Sequence, residues 1–274
     1  MKKNESAAGR DPSGACLFTG FPGFIGARLL PRLLELKPDT RANCLVQPKF
    51  VAAAGEARGE LEARHPHVRG RIDLTEGDIT VQGLGIPAKA ARDLRRSLTE
   101  AYHLAAVYDL AVRRDVGRLV NVEGTKNVLE FLEQATGFER LHYVSTAYVS
   151  GAARGTFRET DLDVGQGFKN HYEETKFQAE VEVARSRLPR TIYRPGIVVG
   201  DSKTGETGKF DGPYFVLRVM EKLPSPGLFL RIGLGFGTVN VVPVDFVVEA
   251  LAALSASPVS AGKTYHLCDP QPHA

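Results

Sequence analysis

A glycine-rich turn, Thr19-Gly20-Phe21-Pro22-Gly23-Phe24-Ile25-Gly26, joins a short apolar run to a segment of helical periodicity, and it restricts the fold more than any other feature. Ala15-Cys16-Leu17-Phe18 reads as a strand, and Phe24, Ile25, Leu29, Leu33 and Leu36 recur with helical spacing until Pro38 stops them. A strand, a tight turn and a helix in that order are the context that a phosphate-cradling loop requires. Gly20 permits the turn, Gly23 lets a diphosphate approach the backbone, and Gly26 permits close contact between helix and strand. The N–H groups of Phe24 and Ile25 would face the phosphates at the positive end of the helix dipole. Beside Phe21, Pro22 has no N–H to donate and stiffens the turn.

The alternation then repeats along the chain. Apolar runs predict strands at 43–46, 71–74, 101–104, 141–144 and from 191, and helical periodicities fill 51–64, 88–96, 116–134 and a segment ending near 187. Crossovers of this length require parallel neighbours covered on both faces. The expected fold class is therefore α/β: a doubly wound parallel sheet of Rossmann type over 15–200, with 239–257 returning to it. Residues 201–238 and 258–274 are read as a small C-terminal substrate lobe, with one helical patch at 214–223. Within it Lys203, Lys209, Phe210, Asp211, Tyr214 and Phe215 are expected to touch substrate. Asp245 is read as the cap of a helix through Leu254. Residues 1–14 are polar and read as a flexible tail. Little chain follows Leu267 for a complete lobe, so a truncated C-terminus is expected.

Composition excludes several classes. A net charge of +3 over 274 residues does not argue for nucleic acid. Arginines cluster at Arg92, Arg95, Arg96 and at Arg113, Arg114, Arg118; they read as solvated helix faces, or as a landing patch for an acidic tail or carrier. No apolar stretch is long enough to span a bilayer, since Glu249 interrupts the longest, and no signal segment opens the chain. Cys16, Cys44 and Cys268 form no metal-ligand spacing, so no metal site is expected and a reduced, cytoplasmic setting is.

The chemistry resides in Tyr172-Glu173-Glu174-Thr175-Lys176. Four positions apart on a helix, Tyr172 and Lys176 share a face. An ammonium and an oxidised nicotinamide would both pull the phenol's pKa down from its usual ~10 and make it a proton donor near neutrality. A hydroxyl to bind the substrate oxygen is expected from the end of the fifth strand, where Thr146 is the first candidate and Ser145 the second. His103 and His171 have no partner at metal-binding spacing and read as structural. Asp78 closes the third strand and reads as a turn former or an adenine contact. After the second strand the chain has Gln47-Pro48-Lys49, with no acid to bind a ribose 2′-hydroxyl, which favours NADP(H) over NAD(H).

The ordered set formed by the glycine turn, Asp78-Ile79, His103-Leu104-Ala105-Ala106, Asn121-Val122-Glu123-Gly124-Thr125, Ser145-Thr146, Tyr172-x-x-x-Lys176 and Arg194-Pro195-Gly196 resembles the extended short-chain dehydrogenase/reductases. Ser145-Thr146-Ala147-Tyr148-Val149 and Asn170-x-Tyr172-Glu173-x-x-Lys176 most resemble the fatty-acyl and thioester reductase branch, whose NAD-binding domains are male-sterility-like. The resemblance implies catalytic roles for Thr146 or Ser145, Tyr172 and Lys176, and an organising role for Asn121. It also implies that Ile79, Ala105, Ala106 and Pro195-Gly196-Ile197-Val198 face the cofactor, and that the helices after Arg113 and around Tyr172 pair in a homodimer. The function it implies is reduction of a carbonyl or acyl thioester, the acyl group being a small molecule or carrier-bound. Two other readings stand beside it: a nucleotide-sugar epimerase or dehydratase, which uses the same Ser/Thr, Tyr and Lys around a retained NAD, and a cofactor-sensing scaffold without catalysis, which would have no need of a proton donor.

Overall fold

The computed structural model describes residues 14–108, 111–208, 214 and 239–271. Seven strands form one sheet: β1 (Gly14–Thr19), β2 (Thr40–Val46), β3 (Ile72–Glu76), β4 (Leu98–His103), β5 (Arg140–Val144), β6 (Arg190–Pro195) and β9 (Thr264–Leu267). Their order is β3-β2-β1-β4-β5-β6-β9 and every pair is parallel. The expected doubly wound α/β sheet is therefore present. Two short strands, β7 (Ile197–Val199) and β8 (Val241–Pro243), pair separately and in parallel.

Helices cover both faces, which is why the inner strands are apolar along their length and not alternately. On one face α1 (Gly26–Leu36), α2 (Val51–Arg64) and α7 (Val244–Ala256) bury Leu29, Leu30, Leu33, Ala54, Leu61, Val247 and Leu251 against Cys16, Phe18 and Cys44. On the other, α3 (Ala88–Ser97), α5 (Gly124–Glu133) and α6 (His171–Arg185) bury Ala91, Leu94, Val128, Leu132, Ala179 and Val183 against Leu17, Leu141 and Tyr143. Strand order reverses at β1, whose neighbours are β2 and β4, so a crevice opens at the carboxyl ends of these strands.

Several boundaries differ from expectation. Gly14, read as the end of a tail, begins β1; residues 1–13 lie outside the described residues. The assignment of 258–274 to the substrate lobe is corrected: Thr264 to Leu267 pair with Ile192 to Pro195 and complete the large sheet. Without β9, β6 would present an open row of backbone donors and acceptors. Asp245 is not a cap, because α7 begins at Val244 after Pro243; its carboxylate accepts from Ser202 N at 2.9 Å and Ser202 Oγ at 2.6 Å. The helix expected over 116–134 is α4 (Arg114–Gly117), a π-helical turn at Arg118–Glu123 and α5 in succession. Of the lobe only 201–208 and Tyr214 are described, so the expectations for Lys209, Phe210, Asp211, Phe215 and the 214–223 patch fall outside the described residues.

Arg194 on β6 is 1% exposed and holds several of these pieces together. Its guanidinium donates to Glu180 Oε1 of α6 at 2.6 and 2.9 Å, and to the carbonyl oxygens of Asp161 and Arg158 at 2.8 and 3.3 Å. Removing one partner of a buried ion pair leaves the other charge uncompensated. We expect Arg194→Met to lose about 3–5 kcal/mol of stability in urea unfolding, with release of the 158–161 loop.

Candidate active site

A cleft of about 880 Å³ lies over the crevice, lined by residues from the ends of β1, β2, β4, β5 and β6 and from α6. The glycine turn from Gly20 through Phe21, Pro22, Gly23, Phe24 and Ile25 to Gly26 forms one wall. Gln47, Lys49, Ile79, Ala105, Ala106, Ser145, Thr146, Tyr172, Lys176, Pro195, Gly196, Ile197 and Val198 also line it. Asp78 and Asn121 are not among the lining residues.

The turn needs its glycines. Gly20 has φ +92°, and a Cβ there would lie 2.9 Å from Leu104 Cβ. A Cβ on Gly26 would sit 2.5 Å from Gly20 O and 3.3 Å from the Phe18 ring, so α1 can start this close to β1 only without one. Backbone bonds from Gly23 N to Gly20 O and from Ala27 N to Gly23 O, both 2.9 Å, shape the turn. They leave the N–H groups of Phe24 and Ile25 with no backbone acceptor among the described residues. A backbone cradle that side chains would fill, with donors to spare at a helix start, fits a dinucleotide diphosphate. The loop after β7 leans on this wall: Glu206 pairs with Arg28 at 3.2 Å, and a Cβ on Gly208 would meet the Phe24 ring at 2.9 Å.

Beyond β2, a short 3-10 turn over Pro48–Phe50 brings Lys49 and Phe50 to the cleft, with Lys49 Nζ 4.9 Å from the centre of the Phe50 ring. Phe50 was not singled out in the sequence; its only signal was an exposed aromatic directly after Lys49. Asp78 serves the turn. Its carboxylate accepts from Gln47 Nε2, Thr80 N and Thr80 Oγ1, each at 2.8 Å. Burial raises its pKa, but the bonds from Thr80 and Gln47 and the charge of Lys49 outweigh this and hold it below the ordinary value.

The hydroxyls, phenol and ammonium singled out in the sequence converge at the ends of β5 and α6. Asn170 caps α6 by accepting from Glu173 N at 2.9 Å, which fixes the first turn carrying Tyr172. Tyr172 is 6% exposed and Lys176 3%. Lys176 Nζ donates to Tyr143 OH at 3.0 Å and to Val144 O at 2.9 Å. Burial drops its pKa to about 8, against the upward pull of Glu180. The expected lowering of the Tyr172 pKa is reversed in this structure. Burial, the largest influence, pushes it up, Tyr108 adds to that, and hydrogen bonding to Thr146 opposes it; Tyr148 and Glu173 add smaller upward pulls. The hydrogen-bond partners of the Lys176 ammonium are Tyr143 and Val144.

Thr146 Oγ1 accepts from Tyr148 N at 3.2 Å, which leaves its hydroxyl proton to donate elsewhere. Ser145 Oγ is buried and has no hydrogen-bond partner among the described residues, although Ser145 lines the cleft. Asn121, on the π-helical turn, braces the site from behind. Its Oδ1 accepts from Val107 N at 2.9 Å, and its Nδ2 donates to Thr175 Oγ1 at 3.1 Å. A buried relay runs from Thr19 Oγ1 to His103 Nδ1 (2.7 Å), from His103 Nε2 to Thr125 Oγ1 (3.1 Å), and from Thr125 Oγ1 to Asn121 O (2.6 Å). His103 is thus a structural group behind the cleft, and His171 is exposed beside Glu174. Sequence reasoning assigned no role to Tyr108 or Tyr148, which line the cleft; the Tyr108 ring meets Tyr172 edge-on at 5.2 Å. Among the described residues, no group of three or more His, Cys, Asp or Glu could hold a metal ion, and no helix is long and apolar enough to cross a membrane.

The chain matches the family described as Male sterility protein over residues 18–251. The terminal R domain of the myxalamid PKS-NRPS biosynthetic pathway superimposes with a TM-score of 0.83 at 32% identity, covering 95% of this chain and 66% of that one. A non-canonical nonribosomal peptide synthetase of Aspergillus campestris is 31% identical over 273 residues, 93% of this chain. The fatty acyl-CoA reductase wat of Drosophila melanogaster is 26% identical over 271 residues, 86% of this chain. The chain spans 25% of the length of that synthetase and 52% of that reductase.

The burial of Lys176 has a measurable signature. With a folded pKa of about 8 against the ordinary lysine value of 10.5, the unfolded chain binds more protons between these values. The cost of burying the ammonium is therefore fully present below pH 8 and is relieved as pH rises toward 10.5. We expect Lys176→Met to compare more favourably with wild type at pH 7 than at pH 9.5, by about 2 kcal/mol in urea unfolding.

Proposed function

The chain belongs to the male sterility family of the extended short-chain dehydrogenase/reductases, and from that membership we propose that it is an NADPH-dependent reductase of acyl thioesters presented on a carrier. The observation that carries the reading is the convergence in one cleft of the glycine turn, two strand-end hydroxyls, a buried phenol and a buried ammonium. The similar proteins, a terminal R domain of a PKS-NRPS pathway and a fatty acyl-CoA reductase, point the same way.

A bound nicotinamide supplies hydride to the acyl carbon, and the chain supplies everything else. The N–H groups of Phe24 and Ile25 would hold the diphosphate, and Lys176 would hold the ribose. Thr146 and Tyr172 both donate to the substrate oxygen and stabilise the negative charge that grows on it. Because Tyr172 is held protonated by burial, it enters the reaction as an acid. As its proton moves to the oxygen, the Lys176 ammonium stabilises the phenolate left behind. Ser145 Oγ is buried, with no partner of its own among the described residues. Preference for NADPH rests on Lys49 and on the missing acid after Val46, where Gln47 is tied to Asp78. The inside of the cleft is largely apolar side chain, from Leu104, Val107, Val116 and Val120, which suits an acyl chain.

NADPH oxidation followed with acyl-CoA, carrier-bound acyl and aldehyde substrates tests the proposal. Turnover of a thioester is expected, and none with any thioester overturns it, as does tightly bound NAD in the purified protein. Tyr172→Phe is expected to lower kcat by about 10²–10⁴-fold while NADPH still binds, since only the proton donor is lost. Lys49→Glu should raise the Kd for NADPH about tenfold or more and leave that for NADH nearly unchanged, measured by cofactor fluorescence.

A further inference from the structure

We propose that the Tyr148 phenol donates a hydrogen bond to the thioester sulfur and stabilises the thiolate as it departs. The inference rests on the thioester reading above and assigns a second heteroatom of the substrate to a second phenol. Tyr148 stands two residues after Thr146, on the short 3-10 turn Ala147–Ser150, and its backbone N–H is held by Thr146 Oγ1 at 3.2 Å. Its position relative to the carbonyl-binding hydroxyl is therefore fixed. The half-buried ring lines the cleft, and its hydroxyl has no hydrogen-bond partner among the described residues. By contrast, the Tyr143 hydroxyl accepts from Lys176 at 3.0 Å and the Tyr193 hydroxyl meets His142 at 2.9 Å.

Three features give the free hydroxyl its role. First, Tyr148 and Tyr172 line the same cleft, and Tyr148 is near enough to raise the Tyr172 pKa. Second, burial and the nearby Tyr108, Glu173 and Cys268 raise the Tyr148 pKa, so the group is a donor and not a base. Third, β5 lies beyond β4 from the nucleotide half of the sheet, which places Tyr148 on the substrate side. With Thr146 and Tyr172 on the carbonyl oxygen, the remaining polar atom at the reacting carbon is sulfur.

The chemistry balances without another reactant. Hydride supplied by NADPH would add to the acyl carbon as Tyr172 gives its proton to the oxygen, leaving a hemithioacetal. The Tyr172 phenolate then takes that proton back as the carbon–sulfur bond breaks, the electron pair leaves on sulfur, the carbonyl re-forms as an aldehyde, and the thiolate takes a proton from water. Tyr148 keeps its proton throughout. A thioester sulfur is a poor acceptor and a thiolate a good one, so the bond strengthens as the leaving group forms and favours the transition state over the ground state. An aldehyde has no such atom.

Tyr148→Phe keeps the ring and removes only the hydroxyl. Wild type and variant are compared on an acyl thioester, on the aldehyde of the same chain, and for NADPH affinity by fluorescence. The expected result is a loss of about tenfold or more in thioester kcat, with the aldehyde changed by less than about twofold and NADPH affinity retained. Across thioesters of increasingly basic thiols, the variant should slow more steeply than wild type. Parallel losses on thioester and aldehyde, an undiminished thioester rate, or equal sensitivity to the thiol would each overturn the assignment to Tyr148. If wild type reduces no thioester, it is the proposed function that fails, a result distinct from all of these.

Discussion

The relay from Thr19 through His103 and Thr125 to Asn121 ties β1 to the loop after β4 and to α6, and its hydrogen-bond directions are fully determined. The Asn121 carbonyl can only accept, so the Thr125 hydroxyl donates to it. His103 Nε2 must then carry the proton that Thr125 accepts, which leaves Nδ1 to accept from Thr19. With its own proton committed, Thr19 Oγ1 accepts from Leu104 N at 3.2 Å and Ala105 N at 3.1 Å. One side chain on β1 thereby positions the loop after β4, and the Asn121 side chain carries the constraint on to Val107 and to Thr175 of α6. Every member is buried and satisfied, the condition under which a polar network fixes a single arrangement.

Against that rigid background, the two buried cations have opposite circumstances. Arg194 meets a carboxylate and two carbonyls, so its charge is matched and serves the fold. Lys176 meets a phenol and one carbonyl, and its lowered pKa records an incomplete match. Such a mismatch is what a charge requires if it is to stabilise an anion that appears only during reaction. Stability lost at one position on α6 is tolerated because the neighbouring Glu180–Arg194 pair and the apolar face of the helix hold the helix in place.

Much of the fold was legible because strands buried on both faces leave near-continuous apolar runs, and crossover helices leave a periodicity of 3.6. The glycine turn was legible for the same reason that it works: Gly20 and Gly26 occupy places where a Cβ has no room. Tyr172 and Lys176 could be paired from their spacing alone. Their electrostatics could not, because the groups that engage Lys176 come from Tyr143 and Val144, more than thirty residues away on another element. Asp78 shows a similar limit, since spacing does not reveal that Gln47 and Thr80 fill its carboxylate. A four-residue strand such as β9 says nothing about which neighbour it will join. Nor does an apolar pattern reveal the extra residue per turn that turns 118–123 into a π-helical segment and sets Asn121 in its place.

The imidazole in the relay also bears on acidity. Burial, with a contribution from Lys176, pulls the His103 pKa down to about 3. Its neutral tautomer thus persists over the whole span in which an exposed imidazole would gain charge. The hydrogen-bond relay beneath the cleft is consequently blind to moderate acidification.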